Sequence, residues 1–252
     1  MTKMEQVMAI DSDVCPVCNS TTTYVFQKDG FPIRKCLSCD YLFVLPRPSI
    51  ETIIEHYAKN YRGATETFYP KAFDRKWRGF WQSLLFIRYV AGRRILDLGC
   101  GGGFMVSALG RFAREAVGVD ISENSIAYAK REFPRHRFYA EPLAEFASRG
   151  EQFDFVFSSE VLEHVLDPHE YMTTLRECVR PQGFAYISAP DAGHSAVPGD
   201  LARWGDICPP EHLQWFNTNN MAMLFADYGF VQHRRYRSKT PSHSVVFQRL
   251  AA

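Results

Sequence analysis

From Arg93 onward, short apolar runs alternate with stretches whose apolar residues recur at helical spacing. This alternation predicts an α/β fold with a doubly wound parallel sheet, because parallel strands are joined by crossover helices. The predicted strands lie near 93–98, 116–119, 136–139, 153–157 and 183–188, and two more surround Pro241 between Phe230 and Phe247. The predicted helices lie near 104–113, 123–132 and 168–180. Residues 190–215 are rich in Pro, Gly, His and Asp, and so long a connection is expected to be functional or mobile.

The chain before this region predicts helices of a different kind. Ser49 is expected to cap a helix that carries Ile50, Ile53, Ile54 and Tyr57 on one face. The segment from Tyr69 to Val90 is aromatic and helical, with Phe73, Trp77, Phe80, Trp81, Leu84, Leu85 and Tyr89. We expect these residues to pack against the main domain or to cover an active site. The predicted organisation is a metal-binding module over 1–48, a helical linker or lid over 49–92 and an α/β domain over 93–252.

A glycine-rich turn follows the first strand of the α/β domain, in Asp97-Leu98-Gly99-Cys100-Gly101-Gly102-Gly103. Such a turn lets a nucleotide-like cofactor approach the backbone closely, because glycine has no side chain to block it. A dinucleotide fits poorly, since its fingerprint requires a glycine where Phe104 stands and its pyrophosphate would meet Asp97. A carboxylate here suits a cationic ligand. Asp120, after the next strand, is placed to accept hydrogen bonds from two ribose hydroxyls.

These residues resemble the cofactor site of class I S-adenosylmethionine-dependent methyltransferases, and the resemblance extends from about Arg93 to the C-terminus. It implies a Rossmann-like sheet of seven strands. It also implies that Asp97 holds the methionine part of the cofactor, that the turn passes beneath the cofactor, and that Asp120 holds the ribose. Glu141 is the candidate for accepting the adenine amino hydrogen. The cofactor-binding residues implied in total are Asp97, Gly99, Cys100, Gly101, Asp120, Ile121, Glu141, Ser159 and Glu160.

Four cysteines form two Cys-x-x-Cys pairs, Cys15 with Cys18 and Cys36 with Cys39, separated by 17 residues. The intervening stretch predicts a β-hairpin that turns near Lys28-Asp29-Gly30. Two such pairs complete a closed tetrahedral site, so we expect a structural Zn²⁺ in a zinc-ribbon-like module. Metal binding would then supply much of the folding free energy of so small a module. Redox-active pairs and rubredoxin-like iron are the alternatives.

Composition indicates a globular, cytoplasmic protein. The chain has 252 residues, 46% of them hydrophobic, and its formal net charge is +1. It has no apolar run of about 18 residues and no apolar signal segment, so we expect neither export nor a membrane partner. Seven cysteines, four of them in two tight pairs, favour metal binding in a reducing compartment over a disulfide framework. The nearly balanced charge argues against a broad nucleic-acid surface.

Two segments could carry the chemistry. Glu160 and His164 follow the fourth strand, at the sheet edge where ligands of α/β proteins bind. Glu211 and His212 follow the long polar loop. Methyl transfer to a hydroxyl requires a positioned acceptor and a base, and histidine is the residue best suited to be that base near neutral pH. We expect His212 to be the base, Glu211 to orient or charge it, and His164 to be a second acceptor-pocket residue. His194 is a weaker candidate.

The cysteine pairs, the Glu-Val-Leu-Glu-His segment and the Glu-His-Leu-x-x-Phe segment together are similar to those of zinc-containing sugar methyltransferases. In that family the last two segments line the acceptor pocket, which implies the same place for His164, Glu211 and His212. This sequence is considerably shorter than the sugar C-methyltransferases among them, and we expect no counterpart in it of their nucleotide-binding C-terminal domain, so the resemblance leaves the acceptor and the attacked atom open. The basic stretch from His233 to Lys239 could hold an anionic acceptor, or it could be a solvated strand face.

The leading hypothesis is methyl transfer to a hydroxyl of a sugar or another small biosynthetic metabolite. A zinc-ribbon RNA methyltransferase is one alternative, but Ser158-Ser159-Glu160-Val161 differs from the Asn-Pro-Pro-Tyr type of segment that base N-methyltransferases use. A sugar C- or N-methyltransferase is another. A non-catalytic adaptor is disfavoured by the acids at the cofactor turn and by the two histidines at the sheet edge.

Overall fold

The computed structural model describes residues 13–60 and 64–251, without the side chains of residues 54 and 57–60. In this part of the chain eleven strands form two sheets. The strands are β1 Thr22–Lys28, β2 Phe31–Cys36, β3 Leu42–Val44, β4 Arg94–Leu98, β5 Glu115–Asp120, β6 Arg137–Ala140, β7 Phe153–Ser159, β8 Val179–Pro190, β9 Gln214–Trp215, β10 Phe230–Arg235 and β11 Ser242–Arg249. The helices are α1 Ile50–Asn60, α2 Ala72–Leu84, α3 Ile87–Val90, α4 Phe104–Gly110, α5 Glu123–Glu132, α6 Leu143–Ala147, α7 Pro168–Cys178 and α8 Thr218–Asp227.

The larger sheet has seven strands in the order β10-β11-β8-β7-β4-β5-β6. Five strands are parallel, and β11 runs antiparallel to both β8 and β10. The predicted doubly wound, seven-stranded Rossmann-like sheet is therefore confirmed. The strands β5 and β6 lie on one side of β4, and β7 and β8 lie on the other, so the strand order reverses at β4. A crevice consequently opens at the carboxyl ends of β4 and β7, where ligands of such sheets bind.

Local sequence explains these elements. The strands β4 and β7 are buried on both faces, and apolar residues fill most of their positions apart from Asp97, Asp154 and the strand ends. Asp167 caps α7 by accepting a hydrogen bond from the His169 amide, and Pro168 follows at the first helical position. Asn217 and Asn220 form a reciprocal capping box at α8. The strand β8 begins at Val179, so Pro181-Gln182-Gly183 lies within a strand and not in the predicted helix end.

The smaller sheet has the antiparallel order β1-β2-β3-β9. Its first three strands come from the cysteine-rich segment, and β1 and β2 form the predicted hairpin. The fourth strand comes from the far end of the long loop, where Gln214 pairs with Phe43 and Trp215 with Leu42. Side chains of the loop fill the space beside this sheet, among them Trp204, Ile207, Leu213 and Trp215. Much of the loop is therefore packed, contrary to the alternative that it is mobile.

One buried amide joins the smaller sheet to the edge of the larger one. Gln214 is fully buried, and its Oε1 accepts hydrogen bonds from the Tyr41 hydroxyl and from Arg47 Nη2. Its Nε2 donates to the carbonyl oxygens of Leu162 at 2.6 Å and Val165 at 3.2 Å. The segment after β7 is therefore held in place by a residue of β9.

The aromatic helical segment departs from expectation. It breaks at Leu85 and Phe86 into α2 and α3. Tyr89 is buried as predicted, whereas Phe73, Trp77 and Trp81 are 80%, 60% and 54% exposed. The buried residues of α2 are Gly79 and Ser83, which allow α2 to lie close against α4. The prediction that the aromatic side chains of this helix pack inward is therefore wrong for these three. In α1, Ser49 accepts the expected capping bond from the Thr52 amide, and the predicted roles of Ile54 and Tyr57 fall outside the described side chains.

We predict that Gln214→Met lowers the free energy of unfolding by about 2–4 kcal/mol, because the Tyr41 hydroxyl and the Leu162 carbonyl lose a buried partner without a compensating bond. Urea unfolding measures the loss. Gln232→Met is the matched control, because Gln232 is exposed on β10 and its replacement should change stability by less than about 0.5 kcal/mol. Equal effects of the two substitutions would contradict the role assigned to Gln214.

Candidate functional site

The cofactor turn begins where β4 ends. Gly99, Gly101 and Gly103 all have φ in the left-handed region, at 77°, 49° and 76°. The amides of Gly99 and Cys100 both donate to the Val119 carbonyl, which holds the turn against the end of β5. A Cβ atom at Gly99 would overlap with the Val161 side chain. Both conformation and space therefore require glycine at position 99.

Two acids meet at this turn. Asp97 is buried at the end of β4, and burial, followed by the neighbouring Asp120 carboxylate, raises the pKa of Asp97 to about 8. Asp120 accepts hydrogen bonds from the Gly101 amide at 2.8 Å and from the Ser122 amide at 2.9 Å. Burial raises the pKa of Asp120 as well, although the two hydrogen bonds lower it in part. A cation placed between the acids would offset their repulsion, so the site fits a ligand that carries ammonium or sulfonium groups.

Tyr69 covers the turn from the segment that precedes α2. Its hydroxyl lies 2.7 Å from the position that a Cβ atom would take at Gly101, and its ring borders Gly102. The ring also packs edge-on against Phe104. Reasoning from the sequence missed this residue, because a single tyrosine in an aromatic segment has no distinguishing pattern.

The other predicted cofactor residues lie around the same edge. Cys100 is buried within the turn, and its burial, followed by the charges of Asp97 and Asp120, raises its pKa well above the ordinary value for a thiol. Ile121 is 73% exposed just beyond β5. Both oxygens of Glu141 accept hydrogen bonds from Arg149, at 2.8 and 2.7 Å, so an adenine amino group would share that carboxylate.

Ser159 ends β7, and Glu160 follows it with a left-handed φ of 56°. The Glu160 amide donates to the Ser188 carbonyl at 2.9 Å, and the Ser188 hydroxyl donates to its carboxylate at 2.7 Å. These bonds turn the chain sharply out of the sheet. Glu160 and His164 do not share a helical face, because residues 162–164 form a turn.

The structure brings His164 and His212 together, with ring centroids 4.8 Å apart and ring planes at 77°. His164 Nδ1 donates to the Glu211 carbonyl at 2.7 Å, and His212 Nδ1 donates to the Asp206 carbonyl at 2.8 Å. Each bond makes Nε2 the acceptor nitrogen of the neutral ring. The Asp206 carbonyl thus orients His212, in place of the predicted Glu211, whose side chain is exposed. Burial, and then the nearby His212, lower the pKa of His164.

Glu163 joins this pair, and reasoning from the sequence missed it. Its carboxyl group is fully buried, and neither oxygen has a hydrogen-bond partner. Its Oε1 lies 3.9 Å from His164 Nε2. Burial, followed by the charge of Glu160, raises its pKa well above the ordinary value. A possible signal was its position in Glu-Val-Leu-Glu-His, where a carboxyl group directly precedes a candidate base.

Two groups of side chains in the described part of the chain have the spacing of metal ligands. Ligand atoms of Glu163, His164 and His212 all lie within 4.8 Å of one another, a donor set that could hold a divalent cation. The second group is Cys15, Cys18, Cys36 and Cys39, also within 4.8 Å of one another. Their sulfur atoms approach to 3.7 Å for Cys15 with Cys39 and 3.3 Å for Cys18 with Cys36. Tetrahedral zinc with Zn–S bonds of about 2.3 Å requires sulfur separations near 3.8 Å.

The cysteine loops are hydrogen-bonded to the larger domain through their backbone. His169 Nε2 donates to the Pro16 carbonyl at 2.6 Å, while its Nδ1 accepts from the Tyr228 hydroxyl at 2.9 Å. The Cys39 carbonyl accepts hydrogen bonds from the side-chain amides of Asn217 and Asn220, both at 3.0 Å. The start of α7 and the start of α8 therefore both contact the metal-binding loops.

His194 lies away from the paired histidines, near the basic stretch. Its Nδ1 accepts a hydrogen bond from the Ala196 amide at 3.1 Å, and its Nε2 lies 3.4 Å from the Ser238 carbonyl. These local contacts give it no place in the cluster of Glu163, His164 and His212. Among the described residues, no helix combines the length and apolar character needed to cross a membrane.

Comparison with known proteins agrees with this geometry. Residues 56–233 match the family described as a methyltransferase domain. Two similar curated proteins are ubiquinone biosynthesis O-methyltransferases. The one from Rhizobium etli is 38% identical over 105 residues, which cover 40% of this chain and 42% of the relative. The one from Cereibacter sphaeroides is 39% identical over 101 residues, which cover 38% and 41%. The matched region thus spans less than half the length of these relatives.

Solved structures share the fold at low identity. The magnesium protoporphyrin IX methyltransferase of Synechocystis PCC 6803, with bound SAH, aligns with a TM-score of 0.57 at 16% identity, covering 79% of this chain and 94% of that one. An S-adenosylmethionine-dependent methyltransferase of Mesorhizobium loti aligns with a TM-score of 0.57 at 18% identity, covering 68% and 98%. Because the family match spans most of its length, the chain belongs to the methyltransferase-domain family.

Proposed function

We propose that this enzyme transfers a methyl group to a hydroxyl of a small biosynthetic metabolite, with the cluster of Glu163, His164 and His212 at the acceptor. The observation that carries the proposal is the pairing of two imidazoles, each held by a backbone carbonyl so that Nε2 is the acceptor nitrogen. A hydroxyl must lose its proton as it attacks the methyl group, and an imidazole nitrogen is a suitable acceptor near neutral pH. The names of the curated relatives, which are O-methyltransferases, support a hydroxyl acceptor.

In this mechanism His212 Nε2 takes the proton of the acceptor hydroxyl. The Asp206 carbonyl accepts from His212 Nδ1 and stabilises the imidazolium that forms. His164, whose pKa is lowered, stays neutral and accepts a second hydrogen bond from the acceptor. A carboxylate oxygen of Glu163 lies within 4.8 Å of a ring nitrogen of each histidine, close enough for a negative charge there to stabilise the imidazolium.

The cofactor, when bound, supplies the electrophilic methyl group and a good leaving group. We assign its methionine part to Asp97 and its ribose hydroxyls to the free lone pairs of Asp120. Gly99, Cys100 and Gly101 would pass beneath it, and Ile121, Glu141, Ser159 and Glu160 would line its remaining surface. The Val161 side chain belongs to the segment that we assign to the acceptor and lies close to Gly99 of the turn, which supports in-line transfer.

Sugars are one class of hydroxyl-bearing acceptor that fits this proposal, as implied by the resemblance of the two histidine segments. We further propose that Cys15, Cys18, Cys36 and Cys39 hold a structural Zn²⁺. Without a cation, burial raises the pKa of the Cys15 thiol to about 12, and a bound metal would stabilise the thiolates instead. Four protein ligands leave no open coordination position, so the metal would have no part in methyl transfer.

His212→Ala should lower the rate of methyl transfer by about 10²–10⁴-fold while cofactor affinity stays near that of the wild type, because the cofactor is held by other residues. Labelled cofactor first identifies an acceptor among nucleotide sugars, glycans, hydroxylated metabolites and RNA. Single-turnover transfer to that acceptor, with cofactor-saturated enzyme, then measures the rate. His194→Ala is the control, since His194 lies outside the cluster. A rate for His212→Ala within about threefold of the wild type would remove His212 from the mechanism.

Asp120→Ala should weaken binding of S-adenosylhomocysteine by about ten- to a hundredfold, because a charge-assisted hydrogen bond contributes about 1.5–3 kcal/mol. Isothermal titration calorimetry measures the affinity. Because the substitution also frees the Gly101 and Ser122 amides, thermal unfolding of each variant must accompany the titration. Asp227→Ala, at the exposed end of α8, is the control. Unchanged affinity in a folded Asp120→Ala protein would refute the assignment.

Elemental analysis of the purified protein should find about one zinc per chain. Cys36→Ser should lose the zinc and lower the thermal unfolding midpoint, because the metal stabilises the folded module. Cys208→Ser, at a half-buried cysteine outside the cluster, should keep both the zinc and the midpoint. A metal-free protein whose four thiols react freely in the folded state would disprove the zinc site, and stoichiometric iron would reassign it.

A further inference from the structure

The helix α2 presents an exposed apolar surface, the aromatic face, made of Phe73, Trp77, Trp81, Leu84 and Leu85. These residues recur every three or four positions, so they lie along one side of the helix. Phe73, Trp77 and Trp81 are each more than half exposed, as is Leu85. Trp77 and Trp81 pack edge to face, with ring centroids 5.7 Å apart, and form one continuous surface.

The orientation of α2 is the reverse of that expected for a helix of a globular protein. Its buried residues are the small Gly79 and Ser83, and a Cβ atom at Gly79 would lie only 3.5 Å from the Phe104 carbonyl of α4. Close packing of small residues thus holds the helix to the domain, while its largest apolar side chains face solvent. Exposed aromatic residues in such a row mark a surface that binds something apolar.

Cationic side chains border the aromatic face. The stretch from Lys71 to Arg88 contains five Lys and Arg residues and one acid, Asp74, and one of the five, Lys76, pairs with Glu132 of α5 at 3.2 Å. The Arg111 guanidinium lies over the ring of Phe80, 5.3 Å from its centroid. At the other end the Tyr236 hydroxyl donates to the Leu85 carbonyl, and Arg234 lies over the Tyr236 ring. The basic stretch around β10 therefore continues the positive border of the face.

We propose that the aromatic face attaches the enzyme to the surface of a membrane that contains anionic phospholipids. Tryptophan and phenylalanine side chains insert at the boundary between headgroups and acyl chains, and Lys and Arg contact the negatively charged headgroups. A second copy of the chain fits less well, because a symmetric contact would bring the two positive borders together. The expectation of no membrane partner rests on the lack of an apolar run long enough to span a bilayer. Attachment to a membrane surface requires no such run.

The tryptophans provide a direct probe. Of the four, Trp204 and Trp215 are buried and only Trp77 and Trp81 are exposed, so a change in fluorescence on binding reports on the aromatic face. The full-length protein is mixed with vesicles of phosphatidylcholine, with or without phosphatidylglycerol. We expect a blue shift and co-flotation with the anionic vesicles, weakened by high salt, and quenching by brominated acyl chains.

Trp77→Ser combined with Trp81→Ser should weaken vesicle binding by at least about tenfold, and Arg88→Gln combined with Arg234→Gln should weaken binding to anionic vesicles only. Tyr24→Ser removes an exposed aromatic residue of β1 and Arg203→Gln an exposed cation of the long loop, and neither should change binding. Unchanged affinity for S-adenosylhomocysteine and an unchanged unfolding midpoint show that each variant is folded.

Three results would overturn the proposal. One is a wild-type protein that stays in solution with every vesicle, and another is binding that the double tryptophan variant retains. The third is a wild-type dimer, found by analytical ultracentrifugation, that the same variant dissociates, because the aromatic face would then bind a second copy. Because vesicle binding is measured without a methyl acceptor, its failure leaves the proposed reaction untouched, and failure of the reaction leaves the vesicle result standing.

Discussion

The fully buried side chain of Gln214 makes four hydrogen bonds that connect the two sheets. Buried carbonyl groups and a buried tyrosine hydroxyl require partners, and this one amide bonds Tyr41 and Arg47, which flank β3, and two carbonyls of the segment after β7. The segment after β7 is irregular, and the carbonyls of Leu162 and Val165 in it accept their hydrogen bonds from Gln214. His164 belongs to that segment, and His212 lies two residues before Gln214. The relative position of the two histidines thus depends on the packing of β9 in the smaller sheet.

The larger sheet supplies the opposite side of the same cleft. Its parallel strands carry Asp97 and Asp120 to one edge. Burial there disfavours the ionised form of both acids, and the charge of Asp120 further disfavours that of Asp97, so a cation nearby would stabilise the two carboxylates. Parallel pairing in register places the end of β7 next to the end of β4, with Leu98 opposite Ser158. The glycine turn and the segment that we assign to the acceptor therefore leave the sheet side by side.

Sequence patterns predicted the features that arise from local rules. The strands and helices of the larger domain, the glycine turn and the grouping of four cysteines all follow from periodicity, backbone freedom or ligand spacing. The pairing of β9 with β3 could not be found, because a strand of two residues has no periodicity. The burial of Glu163 depends on long-range contacts. The aromatic residues of α2 were expected to pack against the main domain or to cover an active site; Gly79 and Ser83 take the buried face of α2 instead, and three of the aromatic residues face outward.

The two walls of the cleft are attached to the protein in different ways. Val161, His164 and His212 are fixed through β9, the Gln214 amide and the cysteine loops, so moving them would require breaking several buried hydrogen bonds together. Tyr69, on the other side, covers the glycine turn; its ring contacts Phe104 and Tyr128, and the Arg75 guanidinium lies over it. The side of the site that we assign to the acceptor is therefore tied to the smaller sheet, whereas Tyr69 is tied to α4 and α5 of the larger domain.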